Sequence, residues 1–172
     1  MKNKLLLIYC WAIRMALFIF PDIPFIMRFR GWLYGLAMIR CGKNVQVTHD
    51  AIVKDLQNLS LSDNIFVGNQ SVILGSGRIV IGKEVLIGPH CVIVSGNHKL
   101  IHGSYFNNQS SSGTILINDG AWVAANSTIA KGGILPRGSV LAANSFLNHA
   151  FDEPFSIYGG VPASLLSIRE HD

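Results

Sequence analysis

Hydrophobic positions recur every six residues along the second half of the chain. A small residue follows each of the first five recurring aliphatic positions, four residues later. A helix repeats its apolar face about every 3.6 residues and a two-faced strand every second residue, so neither gives a period of six. The aliphatic positions are Ile117, Val123, Ile129, Leu135, Leu141 and Leu147, and the small residues are Ala121, Ser127, Gly133, Ser139 and Ser145.

The same period occurs in pieces further upstream, where turn-forming residues interrupt it. The upstream aliphatic positions are Val47, Val53, Leu61, Val67, Ile73, Ile81, Ile87 and Ile93. A short strand followed by a turn every six residues winds the chain into a triangular prism. The aliphatic residue then points inward, the small one fits the corner, and each coil covers the edge of the last. The sequence therefore predicts an all-β solenoid rather than a β-sandwich.

Residues 1–43 follow a different pattern. An almost wholly apolar run covers residues 5–20, and two prolines, Pro21 and Pro24, close it. This run contains Arg14 and is shorter than the roughly 20 apolar residues that a membrane-spanning helix needs. It also lacks the small-residue cleavage site of a signal peptide. We expect an N-terminal amphipathic helical segment here.

Charge also separates this segment from the rest of the chain. The net charge is +4, and residues 1–43 contain seven basic side chains and a single acid, Asp22. Two interpretations of the basic, aromatic-rich segment stay open and are compatible with each other. It either caps the main domain or a neighbouring subunit, or residues 1–40 contact an anionic membrane surface. The body shows no basic stripe interleaved with aromatics, so nucleic-acid binding is not expected.

The six-residue pattern lapses between Ile93 and Ile117. The intervening sequence is polar and rich in Gly, Ser and Asn, and a long excursion from a compact solenoid is usually functional. It contains His98 and His102. An imidazole titrates near neutral pH and can accept the proton of an attacking hydroxyl. This loop, residues 95–114, is therefore the first candidate for a catalytic site.

The repeat pattern [LIV]-[GA]-x-x-[STAV]-x resembles that of the hexapeptide-repeat acyltransferases. The similarity covers residues 40–168 and points to the branch of maltose, galactoside and polysaccharide O-acetyltransferases. Its most specific segments are residues 117–146, SGNHKL at 95–100 and YGGVPASLL at 158–166. The resemblance implies a left-handed parallel β-helix over residues 44–160. It also implies a tail with a short helix over residues 161–172.

The resemblance also implies an activity. In this family an acceptor hydroxyl attacks the thioester of acetyl-CoA directly, with a loop histidine as general base. The match of the Gly96-Asn97-His98 motif assigns that role to His98, while His102 stays open between an acceptor-side group and a bystander. The expected acceptor is a cell-surface polysaccharide, or its lipid-linked or nucleotide-linked precursor. Neither a metal nor a cysteine nucleophile is required.

The family binds acetyl-CoA in the groove between adjacent subunits of a homotrimer. By position, the main chain near Ala125 would stabilise the oxyanion. The pantetheine would contact Ala125 and Ala143, with Asn148 and His149 closer to the nucleotide. Trp122 would either wall the acyl pocket or pack between subunits. The chain lacks some of the family's basic residues near the CoA phosphates; the candidates to replace them are Lys131, Arg137 and Arg169.

The sequence is also compatible with other functions. An antibiotic acetyltransferase shares the Asn-His loop, and a non-catalytic β-helix scaffold would agree with the weakened phosphate contacts. N-acetylation of an amino sugar is a further alternative. A zinc enzyme using His90, His98 and His102 is disfavoured, because His90 lies on a regular coil and the ligand spacing is absent. Three scattered cysteines favour a reducing cytoplasm, with the protein either free or peripheral on the cytoplasmic face of the membrane.

Overall fold

Two helices and a series of short strands make up the computed structural model, which describes residues 2–107 and 109–169. Helix α1 covers Lys2–Leu17 and helix α2 covers Pro24–Gly35, and a short 3-10 turn lies at Leu56–Asn58. In chain order the strands are β1 Arg40–Cys41, β2 Val45–Val47, β3 Ile52–Val53, β4 Leu59–Leu61, β5 Ile65–Val67, β6 Val72–Leu74, β7 Ile79–Ile81, β8 Leu86–Ile87, β9 Val92–Val94, β10 Gly96–His98, β11 Ser110–Ser112, β12 Ile115–Ile117, β13 Trp122–Val123, β14 Thr128–Ala130, β15 Ile134–Leu135, β16 Val140–Leu141, β17 Phe146–Leu147, β18 Ser156–Gly159 and β19 Ser164–Ile168.

The strands form the three faces of a prism. Face A contains β1, β4, β7, β12 and β15; face B contains β2, β5, β8, β13, β16, β18 and β19; face C contains β3, β6, β9, β14 and β17. Neighbouring strands within a face run parallel, except for the final pair, β18 and β19. Ile117 pairs with Leu135 and Ile129 with Leu147, so one coil here spans three six-residue repeats. The predicted β-solenoid is confirmed.

The interior of the prism follows the six-residue pattern. Every aliphatic position of the series is buried, with at most 3% of its surface exposed. The small corner residues also connect successive coils. Ser127 Oγ donates a hydrogen bond to the Ala142 carbonyl at 2.8 Å, and Ser139 Oγ accepts one from the Ser156 amide at 3.1 Å. A hydroxyl at this corner therefore satisfies backbone groups that the turn leaves unpaired.

The two helices cover the first coil of the prism. Cys10 and Ile13 of α1 and Tyr34 of α2 join the same apolar core as the strand residues. Gly31 allows α2 to approach β2 closely, because a Cβ at this position would collide with the Val45 carbonyl. The segment therefore forms a cap on the solenoid. Neither helix of the described residues is long and apolar enough to cross a membrane.

The predicted C-terminal helix is wrong. The chain turns at residues 160–163, and Ser164–Ile168 forms β19, which pairs antiparallel with β18. Strand β18 is the last parallel strand of face B, so its outer backbone groups would lack partners without β19. Pairing at this edge prevails over the helical tendency of a short apolar segment. Residues 170–172 of the predicted tail lie outside the described residues.

Candidate active site

The candidate catalytic loop leaves the prism at the edge between faces C and A. Strands β10 and β11 pair antiparallel at its base, with His98 opposite Ser110. Ser95 anchors this base, since its Oγ accepts a hydrogen bond from the Gly77 amide at 3.0 Å and donates one to the Gly77 carbonyl at 2.8 Å. A Cβ at Gly75 would collide with Ser95 Oγ. Gly75 and Gly77 thus allow the preceding coil to support the base of the loop. From the sequence, these glycines indicate only a turn.

His98 projects into solvent at the start of this loop. Its side chain is exposed and lines an open cavity of about 330 Å³ with Tyr105, Phe106 and Asn107. Asn107 Nδ2 donates hydrogen bonds to the carbonyls of Lys99 and Ser104, at 2.9 and 3.0 Å, which holds the cavity wall in place. Within the described part of the chain no hydrogen-bond partner orients the His98 imidazole.

The other histidines named from the sequence lie elsewhere. His102 is exposed in a tight turn with φ +49° and does not line the cavity of His98. His90 occupies a corner between faces B and C with φ +58°, on a different edge of the prism. The structure therefore does not bring His90 together with the two loop histidines.

One cluster of metal-ligating side chains occurs among residues 2–107 and 109–169, at Asp22, His49 and Asp50. Asp22 Oδ2 lies 2.7 Å from His49 Nδ1, and Asp22 Oδ1 accepts a hydrogen bond from Arg30 at 2.9 Å. These contacts already engage the carboxylate, and the adjacent guanidinium opposes a second cation. The Asp22 carboxylate therefore belongs to a structural hydrogen-bond network with Arg30 and His49.

The three cysteines are poor nucleophiles in this fold. They are free thiols, and burial raises the pKa of Cys10 to about 11. Burial also raises the pKa of Cys41 and of Cys91 above the ordinary value. Because the thiolate is the reactive form, these environments favour the inert thiol. A mechanism without an acyl-cysteine intermediate fits this arrangement.

The residues assigned to the acetyl and pantetheine groups lie on face B and at its border with face C. Trp122 points outward from face B and is 45% exposed. Ala125 and Ala143 occupy equivalent corners on successive coils, and the Asn144 amide donates a hydrogen bond to the Ala125 carbonyl at 3.0 Å. Within the described residues neither alanine amide donates a hydrogen bond. Neither N–H group is therefore engaged by another described residue.

Asn148 and His149 lie at the edge between faces C and A, the edge that carries the loop. His149 Nδ1 and Asn148 Oδ1 are 3.1 Å apart, and the His149 ring contacts Phe151 edge-to-face at 4.5 Å. Both side chains are exposed. The structure thus groups His98 with Asn148 and His149 along one edge, and places Ala125 on another.

Comparison with known proteins relates this architecture to characterised folds. No family model matches the chain. It is 24% identical over 157 residues to an Escherichia coli protein named as a colanic acid biosynthesis acetyltransferase, WcaF, with 91% of this chain and 78% of that protein aligned. It is 25% identical over 160 residues to an E. coli protein named as a lipopolysaccharide biosynthesis O-acetyl transferase, WbbJ, with 86% and 80% aligned.

Among solved structures, a hexapeptide-repeat acetyltransferase of Vibrio cholerae, crystallised with acetyl coenzyme A, superimposes with a TM-score of 0.84. The match covers 99% of this chain and 90% of that chain at 23% identity. This is the hexapeptide-repeat acetyltransferase fold. The resemblance predicted from the sequence, including the left-handed β-helix, is confirmed.

The fold separates two of the three cations proposed for the CoA phosphates, Lys131 and Arg137. Lys131 lies on the edge of Asn148 and His149, and its Nζ donates a hydrogen bond to Ser111 Oγ of the loop base at 3.1 Å. Arg137 lies instead at the edge between faces A and B, with its guanidinium 5.5 Å from the Phe155 ring centre. The sequence already indicates that Lys131 and His149 share an edge, because three hexapeptides separate them and three hexapeptides make one coil.

The sequence does not predict that Tyr105 and Phe106 line the His98 cavity; these two residues form its aromatic wall. Tyr105 and Phe106 belong to the part of the loop that has no repeat, so no periodicity assigns them a direction. Both side chains are largely exposed, Tyr105 at 62% and Phe106 completely. The one signal available was two adjacent aromatic residues within a loop rich in Gly, Ser and Asn.

Proposed function

We propose that this protein transfers the acetyl group of acetyl-CoA to a hydroxyl of a saccharide, with His98 as general base. The single observation that carries the proposal is the exposed imidazole of His98 beside a cavity, on the loop of an acetyltransferase fold. The names of WcaF, WbbJ and the Vibrio protein agree with an acetyl-CoA-dependent acyltransferase.

The proposed reaction needs one base and one oxyanion site. The acceptor hydroxyl attacks the thioester carbonyl carbon while His98 takes the hydroxyl proton. The carbon–sulfur bond then breaks, and the imidazolium returns the proton to the sulfur of CoA. The amide of Ala125 donates to the transient oxyanion, which a fixed dipole stabilises without reorganisation. The buried, protonated cysteines support this direct transfer over a covalent acyl-enzyme.

A homotrimer would complete the site. His98 and the Ala125 amide lie on different edges of one prism, so a neighbouring subunit is needed to bring these two groups onto one ligand. Face B supports this arrangement, because Trp122 and Leu86 pair on adjacent coils and expose 45% and 52% of their surfaces. In the trimer Lys131, Asn148 and His149 would lie toward the CoA nucleotide, and Trp122 and Ala143 beside its acyl and pantetheine parts.

A saccharide acceptor agrees with the surroundings of His98. The faces of Tyr105 and Phe106 offer an apolar surface for the C–H face of a sugar ring, while Asn107 lies on the same cavity. Such aromatic rings combine a large contact area with little conformational entropy. The polysaccharide pathways in the names of WcaF and WbbJ favour the same acceptor class. The free thiols favour the cytoplasm as the compartment.

An acceptor screen tests the function. Purified full-length protein is incubated with acetyl-CoA and either neutral saccharides, amino sugars or aminoglycoside and phenicol antibiotics, and release of free CoA thiol is measured. We expect acceptor-dependent thiol release with neutral saccharides. Release with antibiotics alone would replace the proposal by the xenobiotic alternative. Calorimetric titration with acetyl-CoA that gives no heat would identify a non-catalytic scaffold.

The aromatic wall provides a second test of the acceptor. Tyr105→Ser and Phe106→Ser are each expected to raise the KM for the saccharide at least about fivefold, since each removes one aromatic contact surface. The KM for acetyl-CoA should not change. Leu100→Ser is the matched control, because Leu100 is an exposed apolar residue of the same loop that does not line the cavity. An equal rise in KM for the control would remove the aromatic pair from acceptor binding.

A further inference from the structure

Helix α1 has an apolar stripe on the side that faces away from the solenoid. Its inward side buries Cys10 and Ile13. On the opposite side Ile8, Trp11 and Met15 follow at the spacing of one helix face and are 60%, 64% and 58% exposed. A helix with apolar residues on all sides is usually buried on all sides. The solenoid covers only one side of α1.

Helix α2 repeats this arrangement. Met27 and Tyr34 are buried, and Tyr34 joins the core of the solenoid, while Phe25, Phe29 and Trp32 lie on the outer side with 72%, 43% and 56% of their surfaces exposed. The Phe29 and Trp32 rings stack with their centres 5.8 Å apart. Large exposed apolar patches are rare on soluble monomers and mark interaction surfaces.

Cationic side chains accompany the two apolar stripes. Lys4, Arg28, Arg40 and Lys43 are exposed, whereas Arg14 is half-buried in a cavity that Tyr34 and Val53 also line. Across residues 2–107 and 109–169 none of these five forms an ion pair. The one acid of this segment, Asp22, is already engaged by Arg30 and His49. The surface therefore combines exposed apolar rings with cations that form no ion pair within the described part of the chain.

Three of these cations line one cavity at the junction of α2 and β1. Its volume is about 520 Å³, and Arg28, Arg40 and Lys43 surround it together with Trp32 and Ile39. A site with several cations beside apolar side chains fits an anion that is attached to a hydrocarbon chain. A lipid phosphate has this chemistry.

We infer that residues 4–43 form a docking surface for an anionic lipid bilayer. The bilayer offers anionic headgroups above an apolar layer, which matches both the cations and the outward rings. A second copy of the same surface would instead place cations against cations. Trp11, Phe25 and Trp32 enter the headgroup layer, and the cavity holds a lipid phosphate. The inference stands apart from acetyl transfer, because it depends only on this surface.

Vesicle sedimentation with the full-length protein tests the inference. Phosphatidylcholine vesicles with and without phosphatidylglycerol are compared at low and high salt. We expect binding to the anionic vesicles that weakens with salt, and little binding to the neutral ones. Absence of binding to anionic vesicles overturns the inference. Calorimetric binding of inorganic phosphate at equal ionic strength, with no vesicle binding, would identify a free-phosphate site instead.

Paired charge reversals locate the docking surface. Arg28→Glu/Arg40→Glu is expected to lower the partition coefficient for anionic vesicles at least about tenfold. Arg78→Glu/Lys83→Glu changes the net charge equally on exposed positions of the solenoid body and should retain binding. Trp11→Ser/Trp32→Ser should also weaken binding, through the loss of two inserted rings. Thermal unfolding of each variant establishes that it is folded.

Two outcomes contradict this location. Equal loss of binding in the two charge variants would show a response to net charge alone. A change in molar mass by light scattering in Arg28→Glu/Arg40→Glu, with vesicle binding retained, would identify the surface as a contact between copies of this chain. Since neither measurement involves acetyl-CoA, a failure of the proposed enzymatic function leaves the result for this surface unaffected.

Discussion

Replacement of His98 by alanine is expected to lower the turnover number for saccharide acetylation at least about a hundredfold. The variant removes the base that accepts the hydroxyl proton. Water is then the proton acceptor during attack on the thioester, and it is a much weaker base than imidazole. The side chain is exposed and has no hydrogen-bond partner within the described residues, so its loss should leave the fold intact. Steady-state kinetics give the turnover number, and calorimetric titration should show nearly unchanged affinity for acetyl-CoA.

The matched control for His98 lies in the same loop. His102 is also exposed but is outside the cavity, and asparagine tolerates its positive φ of +49°. His102→Asn should therefore keep turnover close to that of the unmodified protein. Added imidazole should partly restore activity to His98→Ala, as expected for a missing base. Near-normal turnover of His98→Ala without imidazole would exclude His98 from the mechanism.

The interior of the fold was predictable because a single geometric constraint repeats along the chain. Each hexapeptide turns the chain onto the next face, so Ile117, Val123 and Ile129 must all point inward once one of them does. The same counting relates residues that share an edge, as Ala125 and Ala143 do on successive coils. Periodicity therefore gives both the core and the edges of the prism.

The parts outside the repeat were predicted less well, for physical reasons. The loop from 95 to 114 was recognised by its lapse from the repeat. The directions of Tyr105 and Phe106 depend on local hydrogen bonds such as those of Asn107. The tail forms β19 because an unpaired strand edge is costly, a tertiary effect that the apolar sequence of residues 164–168 does not show.

The structural role of Arg30 is not indicated by the sequence around it. It is one of seven basic residues in the first forty-three, yet it is 1% exposed while its neighbour Arg28 is exposed. Its Nη1 donates hydrogen bonds to Asp22 Oδ1 at 2.9 Å and to the Val47 carbonyl at 2.7 Å. Its Nη2 donates to the carbonyls of Leu17 and Phe20 at 3.3 and 3.1 Å.

These bonds make Arg30 the junction between the helical cap and the prism. The guanidinium connects the end of α1, the segment before α2 and strand β2. Burial alone would raise the pKa of the Asp22 carboxyl, but hydrogen bonds from His49, Arg30 and Asn69 together lower that pKa below its ordinary value. Asp22 is therefore ionised at neutral pH, and it depends on Arg30 for charge compensation.

Replacement of Arg30 by methionine is expected to destabilise the protein by about 3 kcal/mol, because it removes the charged donor that a partly buried carboxylate and three carbonyls share. For a chain of this length that loss lowers the unfolding midpoint by roughly 6–12 °C. Arg28→Met, two residues away on the exposed side of the same helix, should change stability by less than about 0.5 kcal/mol. Arg30→Lys should fall between the two, since an ammonium keeps the charge but cannot reach all four acceptors. Thermal and urea unfolding at matched protein concentration measure these differences, and equal midpoints for Arg30→Met and Arg28→Met would show that the cap is held by its apolar contacts alone.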